Sequence, residues 1–115
     1  MEGDNYIMVV DNQTMLRVGP VLVDENRLAA LCQEFHVREL SLFGSAARGE
    51  ARPDSDLDLL VEFQPGAEIG LLDYAGLMQD LSALLGRKVD LVSKRGLKPL
   101  IRDTVLREAR LVYAA

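Results

Sequence analysis

Residues 44–58 read Gly-Ser-Ala-Ala-Arg-Gly-Glu-Ala-Arg-Pro-Asp-Ser-Asp-Leu-Asp, a glycine-serine turn followed after ten residues by two aspartates one residue apart. Asp56 and Asp58 stand at the entry to an apolar run, Leu57 to Phe63, that reads as a strand. Strand alternation would then point both carboxylates to one face. Two carboxylates about 4 Å apart repel by roughly 4 kcal/mol at an effective dielectric near 20, so the pair calls for a cation or a proton. Hard oxygen donors of this kind suit magnesium, which takes one or two carboxylates and completes its shell with water and phosphate oxygens. Gly44 and Ser45 follow the apolar strand Val37 to Phe43. Backbone N–H groups at that turn are suited to an anion such as phosphate.

Outward from this stretch the chain reads helix, strand, strand, helix, strand, helix. Gly19-Pro20 breaks the chain, and Asp24 is expected to cap a first helix, with Val23 and Leu28 as a hydrophobic staple. Leu28, Leu31, Cys32 and Phe35 recur at helical spacing, which places Cys32 in the core. The loop from Ser45 to Ser55 holds four charged residues and is the expected phosphate cradle. After the turn Gln64-Pro65-Gly66, a helical pattern through Leu71, Leu72, Ala75, Met78, Leu81 and Leu85 runs to Gly86, a C-terminal cap. Arg87 to Val92 reads as the third strand. Pro99 is placed to open a last helix containing Ile101, Val105 and Val112. Tyr6 to Val10 and Met15 to Val18, split by Asp11-Asn12-Gln13, suit an N-terminal hairpin, although the turn has no glycine. The fold class expected is α/β (α+β), a small mixed sheet flanked by helices. Residues 1–22 read as an extension and residues 23–115 as the principal domain.

The pattern Gly44-Ser45, ten residues, Asp56-x-Asp58, with Gly49 and Ser55 between, closely resembles the signature of the polymerase-beta-like nucleotidyltransferase superfamily. The wording of Phe43 to Gly49 and of Ser55 to Leu59 is most similar to its small single-domain branch, the minimal nucleotidyltransferases. The resemblance implies that both aspartates bind magnesium, two ions in all, and that the Gly-Ser turn holds a nucleoside triphosphate. It also implies a third carboxylate from a later strand, for which Lys88-Val89-Asp90-Leu91-Val92 offers Asp90. The site so implied has Asp56, Asp58 and Asp90 as catalytic metal ligands, and Gly44, Ser45 and Ser55 around the nucleotide; Arg48 and Arg52, in the loop beside them, could steady the triphosphate by charge-assisted hydrogen bonds. Minimal nucleotidyltransferases of this appearance are often antitoxin partners of small helical HEPN ribonucleases. By resemblance, this chain would bind such a toxin in a hetero-oligomer and transfer AMP from ATP to one of its tyrosines.

A chain of 115 residues with 49% apolar composition supports one modest core and leaves little room for an acceptor-binding domain. A protein acceptor that brings its own surface fits that economy. Net charge of -5 argues against DNA binding, which needs clustered Lys and Arg. A single cysteine, an N-terminus unlike a secretory signal and no apolar stretch near 20 residues point to a cytoplasmic protein away from the membrane.

Each residue also has a plainer reading. Asp56 and Asp58 alone would be surface aspartates in a turn, and Asp90 a strand residue paired with Lys88 or Arg87. Arg48 and Arg52 can balance Glu50 and Asp54, and Lys94, Arg95 and Lys98 read as ordinary solvated charges. His36 suits a helix end better than catalysis. Tyr74 and Tyr113 read as helix residues that pack. Two rival functions remain: a binding module that neutralises its partner by complex formation with a vestigial metal site, and an enzyme that modifies a small aminoglycoside-like molecule.

Overall fold

Alternation along Leu57–Phe63 sets the layers of the molecule. Leu57, Leu59 and Val61 are fully buried in the main core, whereas Asp58, Leu60 and Glu62 face the other way. The computed structural model describes residues 7–115, so the start of the expected run at Tyr6 lies outside the described residues. The principal sheet has the spatial order β6-β5-β4-β7, from β4 (Val37–Phe43), β5 (Leu57–Phe63), β6 (Val89–Ser93) and β7 (Arg110–Ala114). It is mixed, as expected: β5 runs parallel to β6, while β4 is antiparallel to both β5 and β7. Helices α1 (Glu25–Glu34) and α3 (Leu71–Leu85) cover one face, through Leu28, Cys32, Leu77 and Leu81. Helix α4 (Pro99–Glu108) lies over the other, where Leu60, Leu97 and Val105 form a smaller cluster.

The N-terminal strands β1 (Ile7–Val10) and β2 (Gln13–Val18) form the expected hairpin. Its turn needs no glycine because Asp11 and Asn12 adopt φ of 50° and 66°, a conformation these two residues tolerate better than most. Gly19-Pro20 is a second tight turn, not a break. It leads into an unexpected strand, β3 (Val21–Asp24), which pairs with β2 and completes a three-stranded sheet. Leu16, Val18 and Val23 of that sheet join the main core. Asp24 then caps α1, its carboxylate accepting the Asn26 and Arg27 N–H groups at 2.9 and 3.3 Å. Val23 and Leu28 are both buried beside it, as a staple requires. His36 sits just past the helix with φ of 59°, and its carbonyl accepts the Gln64 N–H.

The C-terminus departs from the sequence reading. Helix α4 stops at Glu108, Ala109 turns the chain extended, and Val112 and Tyr113 belong to β7, not to a helix. Val112 lies seven residues after Val105, a helical spacing. The open edge of β4 nevertheless supplies hydrogen-bond partners that a solvated helix end lacks, and Leu40 pairs with Tyr113 across it. The third strand also begins later than expected, at Val89. Gly86 caps α3 with φ of 67°, but Leu71 and Leu72 at the start of that helix are exposed. Tyr74 does pack on α3: its ring meets Phe63 at 6.4 Å and its hydroxyl donates to the Leu91 carbonyl. Among the described residues no helix is long and apolar enough to cross a membrane.

Cys32 is fully buried on α1, and burial pushes its thiol pKa from 9.0 up to about 12. Native Cys32 should therefore react with iodoacetamide at pH 8 about a thousandfold more slowly than the same thiol in denaturant. The unfolded thiol ionises first as pH rises, so this group withdraws stability only above about pH 9. Equal alkylation rates in native and denatured protein would contradict that packing.

Candidate active site

The two strands β5 and β6 place Asp58 and Asp90 directly opposite each other in a parallel register, on the same face of the sheet. This is the face covered by α4. Asp56 precedes β5 by one residue, and its carboxylate lies 3.7 Å from Lys88 Nζ in an exposed ion pair of little energetic weight. Lys88 is thus engaged by Asp56. Arg87, the other partner considered for Asp90, donates to the carbonyls of Pro53 and Ser55 and pins the loop that delivers the aspartates.

Asp58 is the electrostatic centre of the site. Burial first, then the charges of Asp90 and Asp56, raise its pKa above the usual carboxylate value; Arg48 opposes this and Glu108 adds to it. The fold therefore disfavours the Asp58 anion, a cost that a cation would relieve. Among the described residues no group of three His, Cys, Asp or Glu side chains is already closed around a metal position. Magnesium commonly takes fewer protein ligands than that and fills its shell with water and phosphate.

The glycine-serine turn is built against this carboxylate. Phe43, the last residue of β4, pairs with Asp58, so the chain leaving β4 passes directly over it. Gly44 opens the single-turn helix α2 (Gly44–Ala47) with φ of 74°, and a Cβ there would collide with Asp58 Oδ2 and sit 3.1 Å from its Cγ. Only glycine allows both the conformation and the close approach. Ser45 follows in α2. Ser55 lies at the far end of the loop, where its Oγ accepts the Arg52 N–H at 2.9 Å and shapes the turn.

Arg48 is engaged on two sides. Its Nε–H donates to Glu50 at 3.0 Å, and its Nη1–H donates to Glu108 at 3.1 and 3.3 Å; these bonds, Glu50 first, raise its pKa further. The Gly44 N–H also donates to Glu108, at 3.0 Å. Sequence reasoning missed Glu108, which lies 64 residues from Gly44. One signal existed: an acid in the last turn of a helix opposes the helix dipole and usually has a cationic partner. It is hidden in the sequence because the helical pattern runs on through Val112, whereas α4 ends at Glu108.

A mixed four-stranded sheet with a Gly-Ser turn and facing aspartates on adjacent strands is the architecture of a polymerase-beta-like nucleotidyltransferase. The sequence model of the nucleotidyltransferase domain matches residues 25–112, and the chain belongs to that family. Its activity class is accordingly that of a nucleotidyltransferase. It is similar to the protein adenylyltransferase MntA of Thermococcus cleftensis, with 53% identity over 79 residues, 68% of this chain and 77% of the relative. A solved structure described as a minimal nucleotidyltransferase is 52% identical, with a TM-score of 0.63 over 74% of this chain and 85% of that one. The complex of tri-AMPylated Shewanella oneidensis HEPN toxin with its MNT antitoxin contains a chain 22% identical, with a TM-score of 0.57 over 79% of this chain and 70% of that one. At that identity the last likeness shows the fold alone.

Proposed function

We propose that this chain transfers AMP from ATP to a hydroxyl of a protein acceptor, a tyrosine of a HEPN ribonuclease toxin, and so acts as the antitoxin of the pair. The observation that carries the chemistry is the in-register pairing of Asp58 with Asp90 beside the Gly44-Ser45 turn. The 53% identity to a protein adenylyltransferase supports AMP as the group and protein as the acceptor. An antitoxin of the same fold in complex with an AMPylated HEPN toxin makes that acceptor compatible with the fold.

The donor set fits magnesium: carboxylate oxygens only, with Asp58 destabilised as an anion until a cation arrives. Asp56, Asp58 and Asp90 would hold it. Magnesium bound there would neutralise charge on the phosphates and align the acceptor oxygen with the α-phosphate. Gly44 and Ser45 would receive the β- and γ-phosphates through backbone N–H groups and the serine hydroxyl. Asp90 lies at the sheet edge and is exposed; in this reading it would also accept the proton of the acceptor hydroxyl.

The test is the intact mass of a co-expressed HEPN partner after incubation with this chain, ATP and magnesium. Mass steps of one AMP are expected, and they should vanish with the Asp56→Asn, Asp58→Asn double variant. A partner that stays unmodified yet binds tightly, with both forms of this chain, would overturn the transferase reading in favour of neutralisation by complex formation.

A further inference from the structure

Glu108 takes up two hydrogen-bond donors of the Gly44 turn. Its carboxylate accepts the Gly44 N–H at 3.0 Å and the Arg48 Nη1–H at 3.1 and 3.3 Å. A backbone N–H plus a guanidinium is the donor set that phosphate oxygens seek. These are two of the groups expected to receive the triphosphate, and both are taken by a carboxylate of the chain itself.

We propose that Glu108 is a built-in competitor for the phosphate cradle, and that a triphosphate must displace it to bind. The proposal rests on the nucleotide-site reading given above and concerns the regulation of that site. Charge favours competition. Arg48 already faces Glu50 and Glu108, while Asp56, Asp58 and Asp90 lie close by, so an arriving polyphosphate meets little free positive charge until Glu108 withdraws. Geometry permits the exchange. Glu108 is the last residue of α4, its side chain is 21% exposed, and the Ala109 N–H bonds to the Val105 carbonyl independently of it. The carboxylate can therefore rotate away by side-chain torsions without unwinding the helix.

A merely structural brace and a competitor predict opposite signs. Glu108→Gln keeps an acceptor for the Gly44 N–H, so the turn stays tied while the charge is lost; Glu108→Ala removes both. Titration calorimetry of ATP with magnesium, and of pyrophosphate alone, into the full chain and both variants decides between them. The expected result is binding about tenfold tighter in Glu108→Gln than in the unaltered chain, the equivalent of one charge-assisted hydrogen bond released from competition. Thermal melts verify that each variant is folded. Unchanged or weaker binding in a folded Glu108→Gln, with measurable binding in the unaltered chain, overturns the competitor and leaves the nucleotide site standing. An absence of binding in every form overturns both readings.

Discussion

Asp58→Asn is expected to reduce AMP transfer on the order of a thousandfold, because the charge stabilisation supplied by a carboxylate-held metal is worth several kcal/mol. The same substitution should make the metal-free protein more stable at neutral pH. Asp58 is an acid whose folded pKa is raised by burial and by Asp90 and Asp56. The folded chain therefore binds its proton more tightly than the unfolded chain does, and stability falls as pH rises from about 4 through the folded pKa. Above that window the full cost of the ionised group remains. Asparagine removes it, so thermal melts without metal should show a higher Tm for the variant at pH 7 and no difference near pH 3. Magnesium should raise the Tm of the unaltered chain and leave the variant nearly unmoved, since a ligand that binds only the folded state stabilises it by mass action. A variant that is inactive and less stable would mean that Asp58 is a structural residue.

Gly44→Ala should damage both fold and site. The φ of 74° is unfavourable for alanine, at a cost of about 1–3 kcal/mol. The added methyl would also strike the Asp58 carboxylate. The Asp58 backbone cannot retreat, because Leu57 and Leu59 on either side of it are fully buried. Its side chain must rotate instead, away from the alignment with Asp90. Misplacement of a reacting group by about 1 Å can cost a hundredfold in rate, and a loss of at least about that size is expected here. Gly49→Ala is the matched comparison: Gly49 has nearly the same φ, 75°, but nothing lies within 4 Å of its Cβ position. Urea denaturation should register a loss for both variants, the larger in Gly44→Ala. AMP transfer should collapse only in Gly44→Ala, and equal activities in the two would remove the steric argument.

Much of the site was legible because its information is local. The Gly-Ser turn, the two aspartates and the strand they enter lie within twenty residues, where strand alternation and turn chemistry act directly on neighbours. Asp90 was legible in a weaker sense. Its strand could be recognised, but the face it shares with Asp58 depends on a register between strands separated by all of α3, and a slip of one residue would have turned it away.

Sequence alone determined the elements whose signals are short-range: the Asp24 cap and its Val23–Leu28 staple, the Gly86 stop, the alternation of β5 and the turn at Gly44. Tertiary structure decided what depends on distant partners. Val112 and Tyr113 carry a pattern that fits helix or strand, and the unfilled edge of β4 chose the strand. β3 forms because β2 offers it a ladder across Gly19-Pro20. Arg48 reads from the sequence as a phosphate ligand or a partner of Glu50; the fold supplies the Glu50 contact and adds Glu108 from the far end of α4. Backbone hydrogen bonds at a sheet edge and ion pairs across a chain have no sequence period, so only the packed molecule can assign them.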